Sequence, residues 1–295
     1  MNDLKTIERK KYLDKLQKVN GTPDIKVITG VRRSGKSKLM DSYIDWLEEN
    51  EKNLNIIYID FTNLKYEELK EYHALNNYIE DKYQKKMQNY LFIDEVQMCP
   101  NFELTINSLH SSGKYDIYVT GSNAFLLSSD LATLFTGRTY EIEVFPFSFA
   151  EYMEYYQSKD RNSAFDSYIK DGGMSGSYVY PNQEEKYRYI EDVFNTLIIR
   201  DIRQKYAIRN VALLDRISDF LMDNISNLSS ARKIADVLTN NSDAINHKTV
   251  GKYIGYLCNA FAFYQVRRYD IKGKKYLTTN DKYYLSDHAF RYAKL

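Results

Sequence analysis

Gly30 to Ser37 reads GVRRSGKS and satisfies the spacing G-x-x-x-x-G-K-[ST] in full. Residues of these types in this order make a holder for a polyphosphate. Gly30 and Gly35 let the backbone curl so that successive N–H groups face inward, and a helix starting at Lys36 adds its positive end. Lys36 offers a mobile cation to the β- and γ-phosphates, and Ser37 offers a hydroxyl to Mg²⁺. Val31, Arg32, Arg33, Ser34 and Lys38 complete the stretch expected to wrap the anion. The flanking strand and helix weigh against a merely structural glycine turn.

Three further stretches carry chemistry in series. Residues Tyr90 to Glu95, YLFIDE, run from four apolar residues into two carboxylates, as a buried strand does when it ends at a site. Asp94 is placed to hold Mg²⁺ through its water shell, and Glu95 to orient and polarise an attacking water. The next apolar run, Tyr115 to Leu127, exits through Ser122 and Asn123. Asn123 is the first choice, and Ser122 the second, for a group that bonds both the γ-phosphate and that water. Gly137 and Arg138 then precede a strand expected over Tyr140 to Phe145. An arginine there can reach a neighbouring subunit's site in an oligomer, or simply cap a surface turn.

Just ahead of the loop, Ile25 to Thr29 (IKVIT) is a β-branched run suited to a buried strand. Lys36 to Glu49 places Leu39, Met40, Tyr43, Ile44 and Leu47 at helical spacing. From Ser148 to about Ala207 the pattern turns helical and aromatic, broken by Gly172-Gly173 and Pro181. Tyr189, Val193, Leu197 and Ile198 mark a packed helix there, and Arg200 and Arg203 are candidates for a nucleotide-sensing arginine or for structural ion pairs. Ser229-Ser230 can cap a short helix bearing Ile234 and Leu238, and His247 to Cys258 gives a second, with Val250, Ile254 and Leu257 inward. Lys248 and Lys252 then face outward. Two β-rich stretches, Ala262 to Tyr269 and Lys275 to Leu277, flank a turn bordered by Arg267, Arg268, Lys274 and Lys275. Helix, turn, helix and basic hairpin together describe a winged-helix plan.

Composition bounds the rest. The chain has 295 residues, 43% hydrophobic and 27% charged, as in ordinary folded proteins, and no apolar run long enough to span a bilayer. The N-terminus lacks a secretory core, so an intracellular, cytoplasmic protein is expected. Cys99 and Cys258 are far apart and the four histidines scattered, which supports neither a disulfide framework nor a zinc site. Net charge is +1, yet residues 229–295 hold 12 Lys and Arg against 5 Asp and Glu, or +7, leaving −6 on the remainder. A local excess of this sign hints at a polyanionic partner.

With these residues in hand, the chain resembles the AAA-type ATPases of prokaryotes. The resemblance rests on Gly30 to Ser37, Phe92 to Gln97, Thr120 to Ala124, and Gly137, Arg138, Pro146, Ser148, Phe149, Glu151 and Tyr152. It continues through Asp171-Gly172-Gly173, Arg200-Asp201-Ile202 and Asn224 to Asp287. It implies an α/β fold: a parallel P-loop sheet in the order 5-1-4-3-2 over residues 1–147, a helical lid over 148–207, and an α+β winged-helix domain over 208–295. It also implies ATP, Mg²⁺ and hydrolysis. Two departures stand out. Met174 is followed by Ser175 where such proteins usually carry proline. The sequence stops at Leu295, soon after KYYLSD, where such proteins commonly continue into a nuclease-like module, which leaves a shortened member or an incomplete sequence as the alternatives. The expected activity is ATP hydrolysis coupled to movement of the winged helix, in a homo-oligomer. The alternatives are a nucleotide-gated switch with little turnover and, less well supported, a small-molecule phosphotransferase. Duplex DNA, through Lys248, Lys252, Arg267 and Arg268, and an unidentified protein compete as the winged helix's partner.

Overall fold

The computed structural model describes residues 6–121, 135, 137–196, 201–239, 245–267 and 280–295. By contacts the chain divides into two units, one of residues 5–30 and 34–144, the other of residues 31–33 and 145–295.

The first unit is organised by strands that can afford no solvent on either face. In β1 (Ile25–Thr29) all five residues are buried, and β3 (Gln88–Asp94) and β4 (Tyr115–Thr120) are buried beyond their first residues. Such continuous apolar runs belong inside a parallel sheet covered on both sides. β2 (Leu54–Asp60) and β5 (Thr139–Glu143) show more solvent, as edge strands do. All pairings are parallel, in the order β2-β3-β4-β1-β5. This is the expected order, 5-1-4-3-2, read from the other edge.

Alternation along the strands sorts the core into two layers. Ile28, Tyr90, Phe92 and Tyr118 pack with α1 (Lys10–Lys18) and α2 (Lys36–Asn50). Ile25, Val27, Leu91 and Ile93 face a cluster that includes residues of α3 (Tyr72–Asp81) and α4 (Phe102–Ser112). Each fully buried side chain of this kind contributes roughly 1.5–3 kcal/mol. Register brings Asp60 beside Asp94 and sets Ile28 against Thr120, so the strand ends that carry polar groups share one edge. In open α/β sheets that carboxyl edge is where ligands bind.

In the second unit, α5 (Phe149–Tyr156) starts from a capping box, with Ser148 as the cap and Glu151 three residues on. The motif residues Ser148 and Glu151 thus act on a helix terminus. Tyr152 Oη donates to Asp171 at the end of α6 (Arg161–Asp171), and Lys186 of α7 (Gln183–Thr196) reaches the same carboxylate oxygen at 2.8 Å. Gly172-Gly173 follows for a steric reason. A Cβ on Gly172 would stand 2.3 Å from Asp287 Oδ1, and one on Gly173 would stand 2.3 Å from the Phe147 carbonyl oxygen. Asp287 accepts from the Gly173 N–H at 2.6 Å and from the Ala289 N–H at 2.9 Å. Met174 is buried and leads into a 3₁₀ turn over Ser175–Val179.

The unit continues through α8 (Arg203–Tyr206), α9 (Val211–Asp223), α10 (Ala231–Thr239) and α11 (His247–Asn259). Ser230 caps α10, accepting from the Lys233 N–H, and Val250, Ile254 and Leu257 of α11 are buried as the spacing predicts. β6 (Phe263–Val266) is shorter than the expected Ala262 to Tyr269 and pairs antiparallel with β7 (Lys282–Leu285), ahead of α12 (Ala289–Lys294). The stretch Lys275 to Leu277, expected to form the second strand, lies outside the described residues. The bridge between Ser229 and Asp281 helps to set the observed pairing, a long-range constraint invisible in local sequence.

Candidate functional site

The loop after β1 is shaped by glycine where no other residue fits. Gly30 has φ 134°, and a Cβ there would lie 2.1 Å from the Val144 carbonyl oxygen. Gly35, at φ 94°, is the residue from which α2 departs, and no side chain caps that helix. The positive end of that helix therefore faces the loop without a capping side chain among the described residues, as an anion site requires. Lys36 is 6% exposed, and its Nζ donates to the Gly30 carbonyl oxygen at 3.0 Å, which carries the ammonium back across the loop. Ser34 is 3% exposed and its Oγ has no hydrogen-bond partner among the described residues. A glycine cradle, an open helix start, a folded-back ammonium and an orphaned hydroxyl suit a polyphosphate.

The remaining loop residues divide by environment. Val31 is buried among apolar side chains, so only its backbone can serve a ligand. Arg32 Nη1 stands 3.5 Å from Asp201 Oδ1. Arg33 is exposed in the left-handed region at φ 66°. Lys38 is exposed and pairs with Asp41 at 3.0 Å.

The acids of β3 meet this loop. Asp94 is buried, and burial pushes its carboxyl above the usual range. Hydrogen bonds from Ser37 and Thr120 oppose that shift, while the Glu95 and Asp60 carboxylates add to it. The influence of Ser37 on Asp94 brings together the two residues expected to hold a metal. Glu95 leaves the strand in the left-handed region at φ 54° and starts a 3₁₀ turn, Val96–Met98. Its Oε2 accepts from Gln97 Nε2. The other end of that amide, Gln97 Oε1, is buried without a partner among the described residues.

Thr120, at the end of β4, was not singled out by the spacing of motifs. Its hydroxyl donates to Asp94 Oδ1 and accepts from the Glu95 N–H at 3.2 Å, so one side chain orients both acids. The available signal was a threonine closing the apolar run Ile117 to Val119. Arg9 was missed as well. It is buried and its Nη1 donates to the Ser34 carbonyl at 2.8 Å. Asn123 and Ser122 lie outside the described residues.

Arg138 is exposed just before β5, and its carbonyl accepts from the N–H of Ile25, the first residue of β1. It therefore stands at the edge where strands begin, away from the loop that follows Thr29. Lys248 and Lys252 are exposed on α11, and Arg267 is exposed after β6; Arg268 and Arg200 lie outside the described residues. Arg203 is exposed at the start of α8. Among the described residues no group of three or more His, Cys, Asp or Glu could hold a metal, and no helix is long and apolar enough to cross a membrane. An ion at Ser37 and Asp94 would need phosphate oxygens or water to complete its shell.

Comparison with known proteins points to the same fold. A family profile described as an AAA domain matches residues 22–153, and one for a domain of unknown function matches residues 162–295. An uncharacterized protein of Haemophilus influenzae is 36% identical over 291 residues, covering 97% of this chain and 72% of the relative. Uncharacterized protein MJ1544 of Methanocaldococcus jannaschii is 26% identical, covering 93% of this chain and 64% of its own length. The solved structure of the Walker-type ATPase of Pyrococcus abyssi superposes with a TM-score of 0.62 at 16% identity, over 98% of this chain and 95% of that one, a likeness of fold.

Proposed function

Because this chain belongs to the AAA-domain family of P-loop ATPases, we propose that it binds ATP with Mg²⁺ and hydrolyses it. The observation that carries the proposal is the ordering of the acids at the strand end: Thr120 holds both Asp94 and Glu95, and the nearby Ser37 hydroxyl opposes the upward shift of the Asp94 carboxyl. Main-chain N–H groups from Gly30 to Ser37 bind the phosphates, and Lys36 gives up the Gly30 carbonyl to meet them. Mg²⁺, when bound, would supply positive charge against that developing on the phosphates. Ser37 and Asp94 are the residues that would hold it. Glu95 orients water, and Asn123 is proposed to assist at the γ-phosphate. Purified protein should release phosphate from ATP, and Lys36→Ala or Glu95→Gln should lower turnover at least a hundredfold. Unchanged rates in both variants would reject the proposal. Glu95→Gln should still bind ATP.

A second function is favoured by the bond from Gln97 to Glu95. A carboxylate engaged by a neighbouring amide is restrained from a water, as in a nucleotide-gated switch with little turnover. Gln97→Ala separates the two. A severalfold rise in turnover supports the restrained switch, and a fall supports Gln97 as an aid to hydrolysis.

The three-part division into ATPase core (1–147), lid (148–207) and winged helix (208–295) is likewise proposed, with hydrolysis moving the last part. Exposed Lys248 and Lys252, four residues apart on one helix, and Arg267 support contact with duplex DNA phosphates. Arg268 joins them in this proposal, and a protein partner is the alternative. The surface position of Arg138, at the opposite edge from its own loop, supports action on a neighbouring copy in a homo-oligomer.

A further inference from the structure

We infer that Arg9 is a positioning residue for the phosphate loop, acting on its backbone from outside the anion site. The inference rests on the proposal that the loop holds a triphosphate. Arg9 precedes α1 and is 6% exposed, rare for an arginine without dedicated partners. Its guanidinium carbon lies 4.5 Å from the centroid of the Tyr12 ring. Tyr12 is itself buried in the layer beneath the sheet, so the guanidinium rests on a fixed platform. From there Nη1 donates to the Ser34 carbonyl oxygen at 2.8 Å.

The consequence follows from peptide geometry. In a trans peptide the C=O and N–H point in opposite directions. Holding the Ser34 carbonyl toward Arg9 therefore turns the Gly35 N–H away from it. The glycine at position 35 makes this control necessary. With φ at 94°, Gly35 supplies the curl the loop needs, but glycine accepts many backbone conformations at little cost. The 34–35 peptide could thus flip and present its carbonyl oxygen where an N–H is required, repelling phosphate. Arg9 removes that orientation by a charge-assisted hydrogen bond. The buried Ser34 Oγ, which has no partner among the described residues, independently marks this same residue as one with bonding capacity for a ligand.

The test is calorimetry on the full chain at millimolar magnesium, using ATP and inorganic tripolyphosphate as separate probes. Arg9→Ala should weaken both by about tenfold, the scale of one lost charge-assisted bond. Arg9→Lys, which keeps a single donor in place of the fork, should lose only two- to threefold for both. In turnover assays KM should rise with kcat at saturation little changed. A merely structural arginine would lower the melting temperature and leave both affinities, measured well below it, unaltered; that result overturns the inference. Loss for ATP but not for tripolyphosphate would also overturn it, by placing Arg9 on the nucleoside. If Arg9→Ala does not fold, Arg9→Lys decides: affinities equal to the wild type overturn the inference. Should the wild type bind neither probe, the triphosphate proposal itself fails and takes this one with it. Binding by the wild type that Arg9 variants share sinks this inference alone.

Discussion

At the edge where its strands begin, the sheet encloses a complete polar network. Lys26 is wholly buried and donates to Asp116 Oδ1 at 2.5 Å and to the Thr22 carbonyl at 2.6 Å. Asp116 Oδ2 accepts from the Gly21 N–H at 2.9 Å and from Tyr118 Oη at 3.0 Å, and Tyr118 Oη is shared with Tyr43 Oη at 3.0 Å. At the edge where the same strands finish, Ser34 Oγ and Gln97 Oε1 are buried with no partner among the described residues, and Asp94 is held above its usual range by burial. The backbone there also adopts left-handed conformations at Arg33 and Glu95. Buried polar groups are normally satisfied, and unsatisfied ones cost stability. The contrast teaches that the fold closes one edge with its own atoms and leaves the other for a ligand to complete.

Three experiments test the difference between the two edges. The largest effect belongs to the closed edge. Lys26→Met leaves Asp116 buried and unpaired and should cost about 3–5 kcal/mol in denaturant unfolding. Adding Asp116→Asn should recover part of that loss, and strict additivity of the two would deny that they form a network. At the open edge, Asp94→Asn removes a buried charge while keeping acceptors for Ser37 and Thr120. It should stabilise the ligand-free protein by about 1 kcal/mol and abolish turnover, a trade-off common at active sites. A destabilisation as large as that of Lys26→Met would show that the two edges are equally self-contained. The smallest signal comes from Cys99, buried at the foot of the 3₁₀ turn that Glu95 begins. Burial pushes its thiol up to about 11. Because the thiolate is the reactive form, native alkylation at pH 8 should run about a hundredfold slower than in denaturant, and should rise with pH toward that value. Rapid alkylation at pH 8 would mean that this turn opens readily.

The parts legible in sequence were those whose chemistry is local. The phosphate loop, the β1 strand and the start of α2 fall where Gly30, Gly35 and Lys36 place them, because each requirement is met within a few residues. The strand order came from resemblance and agrees with the observed sheet. Arg9 was not singled out, and Thr120 was read only as part of a resemblance motif, because their partners lie 25 and 26 residues away and nothing local distinguishes a buried arginine or strand-ending threonine from ordinary ones. The pairing of β6 with Lys282–Leu285 was not read from the sequence for the same reason, since contacts distant in sequence set it, while the run Lys275 to Leu277 expected as a strand lies outside the described residues. Ser148, Glu151, Gly172 and Gly173 were read as marks of resemblance. Their observed roles, a helix cap and two positions without room for a Cβ, are scaffold rather than chemistry.

The hydrogen bond from the Gly173 N–H to Asp287 spans 114 residues. During synthesis every strand of the parallel sheet, the last of which ends at Glu143, leaves the ribosome long before that carboxylate does. Domains generally fold as units, the earlier ones first. The sheet can therefore condense early, while the helical half must wait, its glycine pair unclasped, until Asp287 has emerged. Over that interval the nascent chain would expose tyrosine- and phenylalanine-rich helices, which makes this half the place where chaperones are most needed.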